Sequence, residues 1–486
     1  MKQATCLTIF YIFILCFSTR TNAQFLALEE TAAPEAISLA QAFERTMLYE
    51  AQLKLAKNRL QQHEAQKISR IASLVPKLKG SMRYTRNIPE IKANLGQNGQ
   101  AQSLLYRKLA GLLSANGDQS GAQQLESTAD MLMRRSSGQE IITRPKDSID
   151  ATLSLEIPIF NGQDLARLFA INDSIKLEEA KVLEQQANTI YAVAHAYLLA
   201  THKEDIVELR KMQQKTGLES QLKIRKQYRT GLIKTSDQLR SLSASASQDT
   251  ALATALLEYN NAKAELAMLI GQTKDFNIIH PEKTLFEILD KDEASLIDLA
   301  TRIRPDLRAH QQAFKLAGRE RLGGVLQFLP IVSLQADANY TTNTSGLFSE
   351  STSYAFFLNA SYLFFSGGSR YGILKESALK KEAETIRLEE LQQKIPKLIR
   401  GRIANLKLKE ITISAKNAEL KFATENNTQI LSEYNQGLVE FDKVLEAQQL
   451  LFDASVNQQK AQADHEEEQL KLAFDVGLLS PHLVAR

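Results

Sequence analysis

The chain has 486 residues, 24% of them charged, and a formal net charge of +3. A balance this close leaves no nucleic-acid footprint. With 21 glycines and 10 prolines there is little to interrupt long regular elements. Both cysteines, Cys6 and Cys16, fall in the first 23 residues, so a chain processed beyond them has neither disulfides nor thiol chemistry.

Lys2 precedes an apolar run at 7–17 (LTIFYIFILCF), followed by Thr21, Asn22 and Ala23. The run is too short for a membrane span and reads as a secretory signal peptide with small residues at its cleavage site. Cleavage after Ala23 leaves Gln24 first. Leu15 is bulky where lipoprotein processing at Cys16 would need a small residue, which argues against a lipid anchor. No later stretch reaches eighteen apolar residues. An exported chain of this kind can cross a membrane only with strands.

A helical run starts near Ser38, a good capping residue. Residues 77–84 (KLKGSMRY) then alternate, with Lys77, Lys79, Ser81 and Arg83 on one side. Residues 149–157 (IDATLSLEI) alternate as well, with Asp150, Thr152, Ser154 and Glu156 on the polar side. Helical runs follow at about 162–228 and 235–271. In the latter, Leu252, Leu256, Tyr259, Lys263, Leu266 and Ile270 form a heptad seam with one lysine interruption. Helical pattern resumes from Ser295. Two more alternating segments come at 332–340 (polar side Ser333, Gln335, Asp337, Asn339) and 354–364. The last helical runs start at Gly367 and Val439. Pro396 is expected to kink or break the first of them. The longest runs, near 66 residues, would each extend about 100 Å.

Period-two segments of this length suit lipid-facing strands. Four strands cannot close a barrel, and open edges are forbidden in lipid. Several chains must therefore share one barrel.

The plan also repeats. LVPKL at 74–78 resembles FLPIV at 328–332, IFNG at 159–162 resembles FFSG at 364–367, and YRTGLI at 228–233 resembles YNQGLV at 434–439. The first pair is 254 residues apart and the others 205 and 206, which leaves about 49 extra residues between the first two strands. This insertion begins rich in Gly, Asn and Gln, with a helix expected near 120–135, and is expected either to be disordered or to cap the mouth of the barrel. The domains expected are a signal peptide at 1–23, an N-terminal segment at 24–36 and a first repeat at 37–271. Its strands lie at about 76–86 and 148–159, around an inserted loop at 87–147. A linker at 272–294, a second repeat at 295–477 with strands at about 329–340 and 353–365, and a tail at 478–486 complete the chain.

Taken in order, Leu329-Pro330, IFNG, FFSGG at 364–368, RPDLR at 304–308, YRTGLIKTSDQL at 228–239 and YNQGLVEFDKVLEAQQ at 434–449 resemble the TolC-like outer-membrane efflux factor family. The resemblance implies a mixed α/β membrane protein. Three chains would share a twelve-stranded outer-membrane β-barrel, four strands each, continued by a long periplasmic α-helical coiled-coil barrel, with an internal structural duplication. It implies a homotrimer in the outer-membrane lipid of a Gram-negative bacterium, working with a periplasmic adaptor protein and an inner-membrane transporter in efflux or type I secretion. No enzymatic activity, cofactor or metal is expected.

Gly162, Gly367 and Gly368 are expected to turn strand into helix, and Gly231 and Gly437 to reverse helix pairs. In the family such reversals form the periplasmic entrance. That places a candidate gate at Asp237, Glu440, Asp442, Lys443 and Glu446, with Lys443 expected to bridge neighbouring helix pairs. Lys443 stands where the family motif has an aspartate, so the family's contacts do not transfer residue by residue. The alternative is ordinary solvated charge at a helix turn. Lys77, Lys79, Arg83, Asp150, Glu156 and Asp337 are expected to face the barrel lumen.

Enzyme motifs (HExxH, Walker A) are absent from the sequence, and the seven histidines have no metal-site spacing, though His195 and His202 share a helical face. The acidic run 464–468 (DHEEE) reads as a wet helix face or an adaptor contact. The other functional reading is a surface-anchored structural or adhesive coiled-coil protein. Mass spectrometry of the membrane form should find the chain starting near Gln24; retention of residues 1–23 would overturn the leader assignment.

Overall fold

The computed structural model describes residues 35–94, 97–135, 140–231, 233–280, 292–343 and 350–479. The expected leader, residues 24–34 of the N-terminal segment, residues 281–291 of the linker and residues 480–486 of the tail lie outside them. Eight helices fall into two sets of nearly equal lengths. The first set is α1 (Leu39–Tyr49), α2 (Ala51–Ala72), α5 (Gly162–Arg229) and α6 (Thr235–Ile270), of 11, 22, 68 and 36 residues. The second is α7 (Glu293–Ile303), α8 (Pro305–Leu326), α9 (Ser369–Asn435) and α10 (Phe441–Val476), of 11, 22, 67 and 36 residues. Each short pair is broken by a local device. The Glu50 carboxylate caps α2 at the Leu53 N–H. Pro305 opens α8 at the position where its missing N–H costs nothing.

The chain divides into two units. One comprises 50–191, 286–410 and 468–486, and it holds the sheet. Strands β2 (Lys77–Arg86), β5 (Asp147–Phe160), β7 (Ile331–Thr341) and β8 (Thr352–Ser361) run antiparallel in the order β2-β5-β7-β8. The register shifts at Pro158, which cannot donate to the ladder. β8 stops at Ser361, short of the expected 365. Beyond it, Tyr362 packs edge-on against Phe364 at 4.8 Å, and Arg370 donates to the Leu363 carbonyl at 2.7 Å.

The insertion is more ordered than its composition suggests. Besides the expected helix, α4 (Gln119–Arg135), it contains α3 (Gln97–Ala115) and a two-stranded ribbon, β3 (Ile91–Asn94) with β4 (Glu140–Arg144). The ribbon prolongs the β2–β5 hairpin, since the Asn87 N–H donates to the Lys146 carbonyl at 2.7 Å.

In the same unit Leu296, Ala300 and Leu307 pack with Ile395, Ile399, Leu472 and Val476. α9 runs through Pro396 without the break that was one of the two expected outcomes. The two isoleucines around the proline are fully buried, so tertiary packing outweighs the lost hydrogen bond. Arg402 binds Glu468 at 3.2 Å and Asp475 at 2.7 Å, and both acids are buried. The acidic run 464–468 is therefore not wholly wet. Arg304 donates to the Asp475 carbonyl at 2.5 Å and to Asp306 at 2.6 Å, so the RPDLR run ties helix ends together. Burial pushes the Asp306 carboxyl up, but Arg304 and the Leu307 N–H outweigh it and hold it below the usual range. That contribution is present above the ordinary carboxylate pKa and is lost as pH falls through the depressed one.

The other unit comprises 1–49, 192–285 and 411–467. Its core joins Ile37, Leu39 and Ala42 to Val193, Ala196 and Tyr197 of α5, Leu266 and Ile270 of α6, and Phe276 and Ile278. β1 (Glu35–Ile37) pairs in parallel with β6 (Phe276–Ile278). The seam of α6 differs from the expected one. Ala255 and Ala262 are buried with Leu266 and Ile270, while Leu256 is exposed. The buried line thus runs through 252, 255, 259, 262, 266 and 270, and Lys263 stands beside it, bound to Asp275 at 2.6 Å. Alanines carry the seam, which a search for large apolar residues misses.

Tyr197 fastens β1 and β6 to α5. It is fully buried, and its hydroxyl donates to the carbonyls of Ile279 and Ile37. Burial pushes its phenol up to about 12, so it remains a donor at physiological pH. Tyr197→Phe keeps the packing and takes the hydroxyl donor from the Ile279 carbonyl, while the Ile37 carbonyl keeps the Ile279 N–H. It should cost about 1–3 kcal/mol, read as a lower urea midpoint in detergent with unchanged slope.

Candidate functional site

The sheet sorts most of its side chains by polarity. Lys77 lies opposite Glu156, Lys79 opposite Ser154, and Arg83 opposite Asp150. Glu156 and Ser154 in turn lie opposite Gln335 and Asp337. All six expected lumen residues thus share one face. Hydrogen bonds knit that face together: Ser154 to Asp337 at 2.5 Å, Thr152 to Asn339 at 2.9 Å, and Thr341 to Asp150 at 2.7 Å. Phe357 opposite Gln335, Ala355 opposite Asp337, and Pro158 and Ile331 at the strand ends are its apolar positions. The other face is apolar across all four strands, through Leu78, Leu155, Ala336 and Phe356 in one row. It is uncovered: Phe356 is 79% and Met82 73% exposed.

The junction glycines work in two ways. Gly367 and Gly368 have φ of +62° and +85°, a backbone that other residues enter only with strain. Gly162 is not in that region. A Cβ there would stand 2.7 Å from the Leu326 carbonyl oxygen, so glycine provides clearance for α8. The turn itself is made by Asn161, whose Oδ1 accepts from the N–H groups of Gln163 and Asp164.

Both reversals turn on glycine with positive φ, +73° at Gly231 and +77° at Gly437. They are packed together by Ile224, Phe441 and Val444. The Tyr434 hydroxyl donates to Gln227 at 3.2 Å, and Lys223 donates to Asn435 at 2.9 Å. Asp237, Glu440, Asp442, Lys443 and Glu446 all lie in the first turns after these reversals. Lys443, however, binds Glu446 at 2.9 Å on its own helix, and this hydrogen bond and charge push its pKa up. The ion pairs from one reversal to the other are Lys234–Glu440 and Arg240–Asp442, both 3.8 Å. Lys234 and Arg240 were legible beside Asp237 as basic neighbours of an acidic turn.

A second polar cluster has no sequence motif. His202 contacts Glu466 at 3.1 Å, and His280 contacts Glu204 at 3.4 Å and Asp205 at 3.9 Å. Burial pushes the Asp205 carboxyl up, while His280 and His202 pull it down. Among the described residues no group of three or more His, Cys, Asp or Glu side chains is arranged to hold a metal ion. No described helix is long and apolar enough to cross a membrane.

No curated protein matches the sequence. Residues 296–477 match the outer membrane efflux protein family. Among solved structures, CusC, described with its transmembrane channel formation, is 14% identical with a TM-score of 0.71, over 93% of this chain and 95% of that one. The Campylobacter jejuni CmeC outer membrane channel is 15% identical with a TM-score of 0.70, over 90% and 85%. A membrane protein from Pseudomonas aeruginosa is 15% identical with a TM-score of 0.71, over 90% and 93%. Residues 296–477 thus resemble the outer membrane efflux protein family, and nearly the whole length of the chain has the fold of these solved structures.

Proposed function

We propose that this protein is the outer-membrane channel of a tripartite efflux or type I secretion system in a Gram-negative bacterium. It is a passive duct with a large periplasmic portion, not an enzyme. An inner-membrane transporter and a periplasmic adaptor deliver its substrates. The observation that carries the reading is the sheet, which has one uncovered apolar face, one hydrogen-bonded polar face and two unpaired edges, β2 and β8. Lipid accepts the first face, water the second, and neither accepts the edges. Pairing β2 of one copy with β8 of the next satisfies them, and three copies close a twelve-stranded barrel wide enough for a water-filled lumen. The matched helix lengths support an internal duplication, with both halves lining one periplasmic tunnel.

The gate is placed at the reversals. Asp237, Glu440, Asp442 and Glu446, triplicated by symmetry, attract cations. The fastening role expected of Lys443 passes to Lys234 and Arg240, which reach across to Glu440 and Asp442.

Native mass in detergent should give a trimer; a monomer or a tetramer would overturn the shared barrel. In planar bilayers the protein should conduct with a cation preference. Silence at every voltage would favour the surface-anchored coiled coil instead. Asp442→Ala should weaken the cation preference and raise the open fraction by up to about fivefold, the range of an exposed ion pair. Both effects should shrink at high salt, where the Debye length falls to about 3 Å. Unchanged selectivity and conductance would reject this gate.

A further inference from the structure

The insertion carries an apolar surface that its own fold does not use. α3 and α4 pack as a hairpin through small residues: Ser103 and Ala110 on one side, Ala122 and Ala129 on the other, all buried. An Arg107–Asp130 ion pair of 2.7 Å closes its flank, and Gly117, with φ +87°, makes the turn. A second stripe of α3, away from this seam, consists of Leu105, Leu109 and Leu112, spaced four and three apart. They are 58%, 42% and 64% exposed. Spacing of that kind is a helix-packing seam, and among the described residues the stripe stays largely exposed.

We infer that this stripe is the contact between insertions of neighbouring copies, which meet around the threefold axis above the outer mouth of the barrel. The inference rests on the channel reading, which puts the insertion outside the cell. The helices α2 and α5 leave β2 and β5 at one end of the sheet, and the ribbon β3–β4 leaves the same two strands at the other end.

Two arguments select a second copy as the occupant. The first is continuity. The insertion grows from β2, the edge strand that must pair with a neighbouring chain, so each hairpin stands beside the subunit boundary. Twelve strands spaced about 4.8 Å apart and tilted about 40° give a barrel about 24 Å across, with insertion points about 20 Å apart. Helices about 10 Å wide, paired in hairpins, can bridge that distance.

The second argument is size. A free soluble partner needs about 800 Å² on each side for a stable complex, and three leucines offer far less. Copies already held in one barrel need no such area, because tethering supplies an effective concentration in about the millimolar range.

The test is crosslinking in intact outer membranes. Leu109→Cys is oxidised, or treated with a short bis-maleimide where the thiols stand too far apart for a disulfide. The wild type, whose cysteines are Cys6 and Cys16, and Ser127→Cys on the exposed face of α4 serve as controls. Leu109→Cys should give covalent dimers and the controls none. One cysteine joins only two of three copies, so dimers should reach at most about two-thirds of the chain. Leu112→Cys should behave alike. A trimer in detergent with neither variant crosslinked would overturn the inference and leave the channel reading intact; loss of the trimer itself would overturn both. An adduct whose mass is not a multiple of the chain, or quenching of a dye at position 109 by a lipid-borne nitroxide, would assign the stripe to another protein or to the membrane, and each outcome overturns the inference.

Discussion

The constraint on which the rest depends is the backbone hydrogen bond in hydrocarbon. An unpaired N–H or C=O in lipid costs several kcal/mol, and an edge strand carries one about every second residue on its open side. β2 has ten residues and β8 ten, and each pairs on one side only. In water, charges and bulges blunt such edges. Beside a face made of Leu78, Met82, Phe356 and Leu358, that remedy fails, because the strand's own side chains call for lipid. On the channel reading, symmetry resolves the conflict: identical chains present identical edges, and a ring leaves none over.

The same reasoning explains why so much of the fold was legible. Alternation in a strand reports two solvents at once, and the register places all six expected polar residues on one face. Helix lengths were readable because Gly and Pro stop a helix and were sparse. What escaped was whatever depends on a neighbour. Alanines 255 and 262 form the α6 seam because another helix comes close, and alanine carries no sign of that by itself. Pro396 read as a kink or break because a local rule was applied where Ile395 and Ile399 anchor both flanks. Composition suggested a loose insertion; Ser103, Ala110, Ala122 and Ala129 make it a tight hairpin.

The reversals where the gate is proposed were legible in the sequence from Gly231 and Gly437; the contacts around them were not. Side-chain direction then gave Lys443 a partner on its own helix, three residues on, and left the cross-contacts to Lys234 and Arg240. An i,i+3 pair within one helix forms whatever the neighbouring hairpin does. A pair across two reversals breaks when they part. Only the second kind responds to separation of the two reversals, and its exposure keeps each bond weak.

Long helices with seven-residue seams carry a hazard, since a slip of one heptad restores most apolar contacts. Buried charge removes that degeneracy. Glu468 and Asp475 stand one heptad apart, and Arg402 holds both. A slip one way sets Arg402 against 475 and a position past the end of α10, and abandons Glu468. A slip the other way sets it against 461 and 468 and abandons Asp475. Either acid is buried, and an unpaired buried charge costs about 3–5 kcal/mol. The apolar residues around Leu472 and Val476 make α9 and α10 associate; the arginine and its two acids decide where along each other they do so.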